Sequence, residues 1–296
     1  MDWFGLIAGI LAAAIWGGMY VVSKVVLEVV PPFTLLTLRL ILGTVVLWPF
    51  VIKSGGIHFS KKQWKQVLAV GFVGYGISLG FQFTGTKLST AANGALVTSA
   101  TPAFVLFIAY YFLGERITLR RIFALGLATI GVVIILDPRN ARLSPELFWG
   151  NLSLICAALT WALYSVLIRK VTRGLSVLPV SLVCFWGGLP LTIPAAMIEL
   201  KLIGLGNFSV GVVLGVIYLG VVSTGLAMYL WNLAFARLEA GVASLTFFAQ
   251  PVVGVGLGAL LLGEKLTPLI LAGGVMIGSG LILLARGDES SLSDGV

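Results

Sequence analysis

The sequence predicts an all-α membrane protein whose ten transmembrane helices form two inverted five-helix repeats. Three observations predict it. Hydrophobic residues fill 59% of the 296 positions and charged residues only 10%, with a mean hydropathy of +1.08. A soluble domain of this length covers its surface with far more charge. The apolar residues also run on continuously for about 20 positions at a time, the length a helix needs to cross hydrocarbon. Finally, the chain repeats itself. Barrel strands would alternate apolar and polar residues over segments of about ten, so helices, which satisfy their own backbone groups, fit the pattern.

The runs follow in order. The first, 5–26, has no basic segment before it and leads into further spans, so a retained helix is expected and not a cleaved signal. Pro31-Pro32 ends it. Run two, 33–52, carries Arg39, and the polar stretch from Lys53 to Lys65 leads into run three, 65–86. Run four, 91–113, contains Pro102 and stops at Gly114-Glu115; run five, 119–136, gives way to the polar connector Asp137 to Glu146. The second set is 148–168, 177–198, 209–235, 240–262 and 267–285, with Pro251 inside the fourth of these. The halves are therefore 1–143 and 144–286, followed by a polar tail, 287–296.

With an even number of spans, both termini lie on one face, and that face carries twelve of the flanking basic residues against six on the other. The positive-inside rule then puts both termini in the cytoplasm of a bacterial inner membrane. Trp3, Trp48, Trp64 and Trp149 fall at span ends, where an aromatic belt sits. The net charge of +8 lies at helix ends and not on one face or in a tail. It is explained by topology and lipid headgroups, with no nucleic-acid partner required.

The repeat is read from two matches. Segment 12–24, AAAIWGGMYVVSK, resembles 157–170, AALTWALYSVLIRK, with Trp16 against Trp161. Pro102 and Glu115, followed by Arg116-Ile117-Thr118, match Pro251 and Glu264, followed by Lys265-Leu266-Thr267, with thirteen residues from proline to glutamate in both. Five spans per copy bring the second copy in from the opposite face. Inverted repeats place a binding site near the midplane between the halves and support alternating access.

At these residues the chain resembles the drug/metabolite transporter superfamily, specifically the ten-helix EamA-type exporters built from two five-helix repeats. The likeness rests on the proline followed by Gly-Glu-Arg/Lys-Ile/Leu-Thr in each half, the tryptophans of helices one and six, and Pro31-Pro32 followed by Arg39. Within that superfamily it resembles the YddG-type amino-acid exporters. The resemblance implies transport out of the cytoplasm, which the residues alone do not indicate.

Candidate site residues follow from polar and aromatic side chains inside spans. Helix one offers Trp16 and Tyr20, with Trp16 about 16 Å from the span start and so near the midplane. Helix six offers Trp161 and Tyr164, and helix seven Phe185. Tyr75, Ser78, Gln82 and Thr86 form a polar stripe on helix three, which should avoid lipid. Helix eight carries Gly225, Tyr229 and Asn232 at the corresponding spacing, so that Gln82 aligns with Asn232. Around the two prolines stand Thr98, Phe247 and Gln250, and the prolines free the carbonyls of Thr98 and Phe247. Each of these side chains could instead pack or hydrogen-bond between helices.

Arg39 is the one charge well inside a span, about 9 Å from its outer end. It either bonds helix-end carbonyls or Glu28, or attracts a carboxylate leaving through the outer half. Glu115, Glu264, Pro102 and Pro251 read as gating or structural residues. The Gly254/Gly258 and Gly274/Gly278 spacings pack helices within a chain or between chains, so a monomer is one of two options.

No cofactor or metal is expected: the single histidine, His58, lies in a loop, and Cys156 and Cys184 sit apart inside spans as free thiols. An enzyme would need a buried acid/base or nucleophile–base pair, and none is evident. A nucleotide-sugar carrier would want several cavity cations and a drug-cation carrier a carboxylate. The expected function is therefore export of a small solute, an amino acid with an aromatic or other apolar side chain ranking first. Another metabolite or drug is the alternative, and a membrane enzyme a more distant one.

Overall fold

The computed structural model of the protein describes residues 2–136, 145–262 and 268–285. Among them every regular element is helical. We number the helices α1 (Trp3–Gly17), α2 (Met19–Leu27), α3 (Pro32–Lys53), α4 (Lys61–Leu88), α5 (Ala91–Thr98), α6 (Thr101–Leu113), α7 (Leu119–Leu136), α8 (Phe148–Thr172), α9 (Val177–Leu202), α10 (Val210–Arg237), α11 (Ala240–Leu245), α12 (Ala249–Leu262) and α13 (Pro268–Ala285). Six segments are long and apolar enough to cross a membrane: Pro32–Lys53, Lys61–Leu88, Leu96–Leu113, Pro145–Thr172, Val177–Leu202 and Val210–Arg237. The bent pair α1–α2 makes a seventh candidate, and shorter apolar helices accompany them. The protein is a multi-pass membrane protein. The half boundary at 143/144, the tail 287–296 and Glu264 lie outside the described residues.

Several runs that read as continuous helices are interrupted. The first bends by 44° after Gly17. Gly17 is needed at that corner because a Cβ there would meet Gln250 O and Gly254 N at 3.0 Å, so α1 rests directly on the α12 backbone. The carbonyls at the bend are used: Tyr218 Oη donates to Ile15 O at 2.5 Å and Gln250 Nε2 to Trp16 O at 3.3 Å. Run four is split as well. Helix α5 stops at Thr98, and α6 restarts at Thr101 with Pro102 in its first turn. There proline's missing N–H leaves nothing unpaired. In the second half a short 3-10 turn, Thr246–Phe248, precedes Pro251. Pro102 and Pro251 thus stand in the first turns of helices and do not kink uninterrupted ones.

Two π-helical segments lie inside α4 and α10, Phe72–Ser78 and Tyr218–Leu226. Such segments are uncommon and cluster at functional sites. The main core joins α1–α4, α6, α8–α11 and the 3-10 turn around Trp16, Tyr75, Tyr164, Trp161, Phe185, Trp231, Phe235 and Phe247. A smaller cluster ties α7 to α13 through Ala124, Ala128, Val132, Ile135 and Ile277.

In that pair Gly131 and Gly273 face each other: a Cβ on either would lie 2.6 Å from the other's carbonyl oxygen. Gly274 and Gly278, the spaced pair of the sequence, instead meet nothing within 4 Å. Gly273→Val should cost about 1–3 kcal/mol by forcing the helices apart, read as a lower thermal midpoint in detergent, while Gly274→Val should leave it unmoved. Trp3, Trp48 and Trp149 are exposed, as a belt requires. Trp64 stacks on Trp186 with ring centroids 6.1 Å apart.

Candidate functional site

A narrow cavity opens where the breaks converge. It is lined by Trp16 and Met19 at the α1–α2 bend, Ser78, Leu79 and Gln82 from α4, and Thr98 and Thr101 at the α5–α6 break. Ala157, Ala158 and Trp161 of α8, Met228 of α10, and Phe247 and Gln250 beside α12 complete it. Its volume is ≈ 20 Å³, on a measure in which one water needs about 10–15 Å³. The cavity is therefore constricted here, and a solute larger than water must widen it.

Its walls are aromatic. Trp16 meets Trp161 edge-on at 5.9 Å, Trp231 at 5.2 Å and Phe247 at 6.2 Å between centroids. Trp16 Nε1 donates to Ser223 O at 3.0 Å, and Trp231 Nε1 to Ser165 Oγ at 3.2 Å, so both indoles are fixed at their polar ends. Ser78 Oγ donates to Ala157 O at 2.9 Å. Two buried polar atoms of the lining have no partner among the described residues: Gln250 Oε1 and Thr101 Oγ1. Leaving such an atom dry and unbonded costs about 1–3 kcal/mol, a cost that a bound polar group would relieve.

Seven of the residues singled out from the sequence meet at this cavity: Trp16, Ser78, Gln82, Thr98, Trp161, Phe247 and Gln250. Tyr75, Tyr164 and Phe185 stand behind them, fully buried. Tyr75 Oη lies 2.5 Å from Tyr164 Oη, Tyr164 Oη donates to Asn232 Oδ1 at 2.6 Å, and Asn232 Nδ2 donates to Ser181 Oγ at 3.0 Å. This closed polar network sets the position of Trp161, whose ring lies 4.7 Å from that of Tyr164. Tyr229 is elsewhere, in an apolar groove with Val46, Leu47, Phe50 and Leu178. The side chain of Tyr20 is outside the described residues. Sequence reasoning missed Trp231, which is fully buried and touches Trp16, Phe235 and Phe247.

Arg39 is 0% exposed. Its Nε donates to Leu219 O at 3.2 Å and Thr224 Oγ1 at 2.9 Å, its Nη2 to Ser223 Oγ at 3.3 Å, and its guanidinium lies 4.6 Å over the Phe83 ring. Of the two structural partners the sequence suggested, a helix carbonyl is the one used, and the π-segment of α10 supplies it.

Charged groups at two helix ends form parallel arrangements. Arg169 donates to the carbonyls of Phe235 and Leu238, and its Nε lies 3.0 Å from Glu115 Oε1. Glu115 in turn accepts from the backbone N–H of Ala240 at 2.8 Å and of Gly241 at 3.0 Å. Lys24 donates to the carbonyls of Thr86, Lys87 and Ser89 at 3.1, 3.2 and 2.8 Å. Lys24 is the counterpart of Arg169 when Trp16 is set against Trp161, and Thr86 and Ser89 each stand 149 positions before Phe235 and Leu238. That same shift relates Glu115 to Glu264, and it sets Gln82 against Trp231, not Asn232.

Comparison with known proteins agrees with this picture. The model of the EamA-like transporter family matches the chain twice, over residues 3–137 and 148–286. A Bacillus subtilis protein named "Uncharacterized transporter YetK" is 28% identical over 86% of this chain and 78% of its own. A Salmonella typhimurium protein named "Probable amino-acid metabolite efflux pump" is 27% identical over 93% of this chain and 92% of its own. A solved crystal structure shares the fold with a TM-score of 0.80, covering 95% of this chain and 98% of that one at 22% identity. With its helical membrane fold and a family match that covers nearly all of its length, the chain belongs to the EamA-like transporter family and is a membrane transporter of small molecules.

Proposed function

We propose that this transporter exports amino acids with aromatic or other apolar side chains from the cytoplasm, by alternating access between two inverted halves, 1–143 and 144–286. The observation that carries the reading is the cavity itself. Indole and phenyl rings suit an apolar side chain, while Gln250 Oε1 and Thr101 Oγ1 are unsatisfied acceptors of the kind an ammonium group needs. The matched roles of Lys24 and Arg169, and the two successive matches to one family model, support the inverted repeat. On this reading there are ten spans, both termini are cytoplasmic, and the membrane is the bacterial inner membrane. The printed name of the Salmonella relative points to the same class of cargo.

Purified protein in liposomes should exchange a labelled panel of apolar and aromatic amino acids in counterflow. Gln250→Leu should weaken amino-acid affinity by about ten- to a hundredfold, since a lost hydrogen bond to a charged group is worth roughly 1.5–3 kcal/mol, with the thermal midpoint little changed. Robust counterflow of some other metabolite and of no amino acid would refute the cargo assignment.

A further inference from the structure

Arg39 is a cation with unspent donors. A guanidinium has five N–H groups, and Nη1, which carries two of them, has no partner among the described residues. The groups that do meet Arg39 are all neutral: Leu219 O, Thr224 Oγ1, Ser223 Oγ, the Phe83 ring and, at 4.0 Å, the Met19 sulfur. None of the ion pairs among the described residues involves it. A charge withdrawn from water without a counter-ion is strongly unfavourable, and an ionisable group inside a span points to a functional site.

The position points the same way. Met19, in contact with Nη2, also lines the cavity, and Trp16, another lining residue, donates to the carbonyl of Ser223, whose hydroxyl meets Arg39. One turn beyond Met19 on the same face of α2, Ser23 is a second buried side chain whose oxygen has no partner among the described residues. The π-segment of α10 holds the guanidinium in place through Nε, which leaves the Nη1 edge for a ligand.

We propose that Arg39 is the carboxylate-selecting residue of this transporter: once the cavity widens past Met19, its Nη1 edge takes the cargo's carboxylate. The proposal rests on the amino-acid reading for its cargo, but its chemistry, a planar monocarboxylate on a forked donor, can be tested without it. Carboxylates and their amides have nearly the same shape and differ in charge, so they separate selection from fit.

The experiment measures the thermal midpoint of the purified protein against rising concentrations of L-phenylalanine and L-phenylalaninamide, and of benzoate and benzamide. Wild-type protein should be stabilised by each acid at concentrations at least tenfold below those of its amide. Arg39→Gln should erase that preference, and Arg39→Lys, which keeps the charge but lacks the fork, should keep only part of it. A purely structural arginine would lower the midpoint of the variants and leave the acid-over-amide preference intact, which would overturn the proposal. Equal responses of wild-type protein to acid and amide would overturn it as well, even if Arg39→Gln does not fold. An acid preference that depends on Arg39, in a protein that exchanges no amino acid, would uphold carboxylate selection while removing the amino-acid assignment.

Discussion

Glu115→Ala should lower stability by about 3 kcal/mol, toward the cost of breaking a buried ion pair by removing one partner, and transport should fall with it. The Glu115 side chain is only 6% exposed, takes two backbone donors and faces one cation. It accepts from the N–H groups of Ala240 and Gly241, which open the helical stretch leading to the cavity residue Phe247, and it neutralises Arg169. Alanine would orphan two backbone donors and leave Arg169 with carbonyls alone. Glu115→Gln, which keeps an acceptor oxygen and loses the charge, should cost less. The order Ala below Gln below wild type in thermal midpoint is the expected result, and identical midpoints for all three would show that α11 needs no side-chain cap.

Much of this architecture is legible in the sequence because the bilayer leaves so little choice. Runs of about 20 apolar residues have to be helices, and the Gly-Glu pairs at 114–115 and 263–264 announce that one pattern is used twice. Trp16 and Trp161 stand out among small residues: Ala12 to Ala14 and Gly17-Gly18 lie around the first, Ala157, Ala158 and Ala162 around the second. What stays hidden is local distortion. Counting by helical period from Gly225 through Tyr229 to Asn232 assumes an unbroken α-helix. The π-segment Tyr218–Leu226 adds residues per turn and rotates everything after it. Tyr229 therefore turns away to an apolar groove, while Met228 reaches the cavity and Trp231 the aromatic layer. In the run from Ala227 to Phe235 the polar side chains of Tyr229 and Asn232 draw the eye, and Trp231 between them reads as one more apolar residue. The π-segment meets partners far away in sequence, Arg39 at Leu219 O and the α1–α2 bend through Tyr218, and no local propensity encodes those contacts.

Trp231→Ala should be the most disruptive change in the aromatic layer, with a cost of about 3–5 kcal/mol, the range for truncating a fully buried tryptophan. Trp231 is 0% exposed, with its ring centred 5.2 Å from Trp16 and 5.6 Å from Phe247, and its Nε1 anchors on Ser165. The hole left behind would be apolar except for Ser165 Oγ, which an indole N–H can meet again, and would adjoin the cavity through Trp16. An apolar hole of that kind stays dry and accepts a ligand of the missing shape. Indole should therefore restore part of the lost thermal midpoint in Trp231→Ala, in proportion to the logarithm of its concentration once saturating. The same treatment should do little to wild-type protein, whose cavity holds about one water's worth of space. If indole rescues neither stability nor transport, the surrounding rings have collapsed into the gap, and the layer around Trp16 is a deformable packing and not a rigid wall. That outcome would also move the determinant of cargo size away from the aromatic rings and onto the breaks at Gly17 and Ala100, because a wall that yields to a missing indole cannot measure the side chain of a substrate.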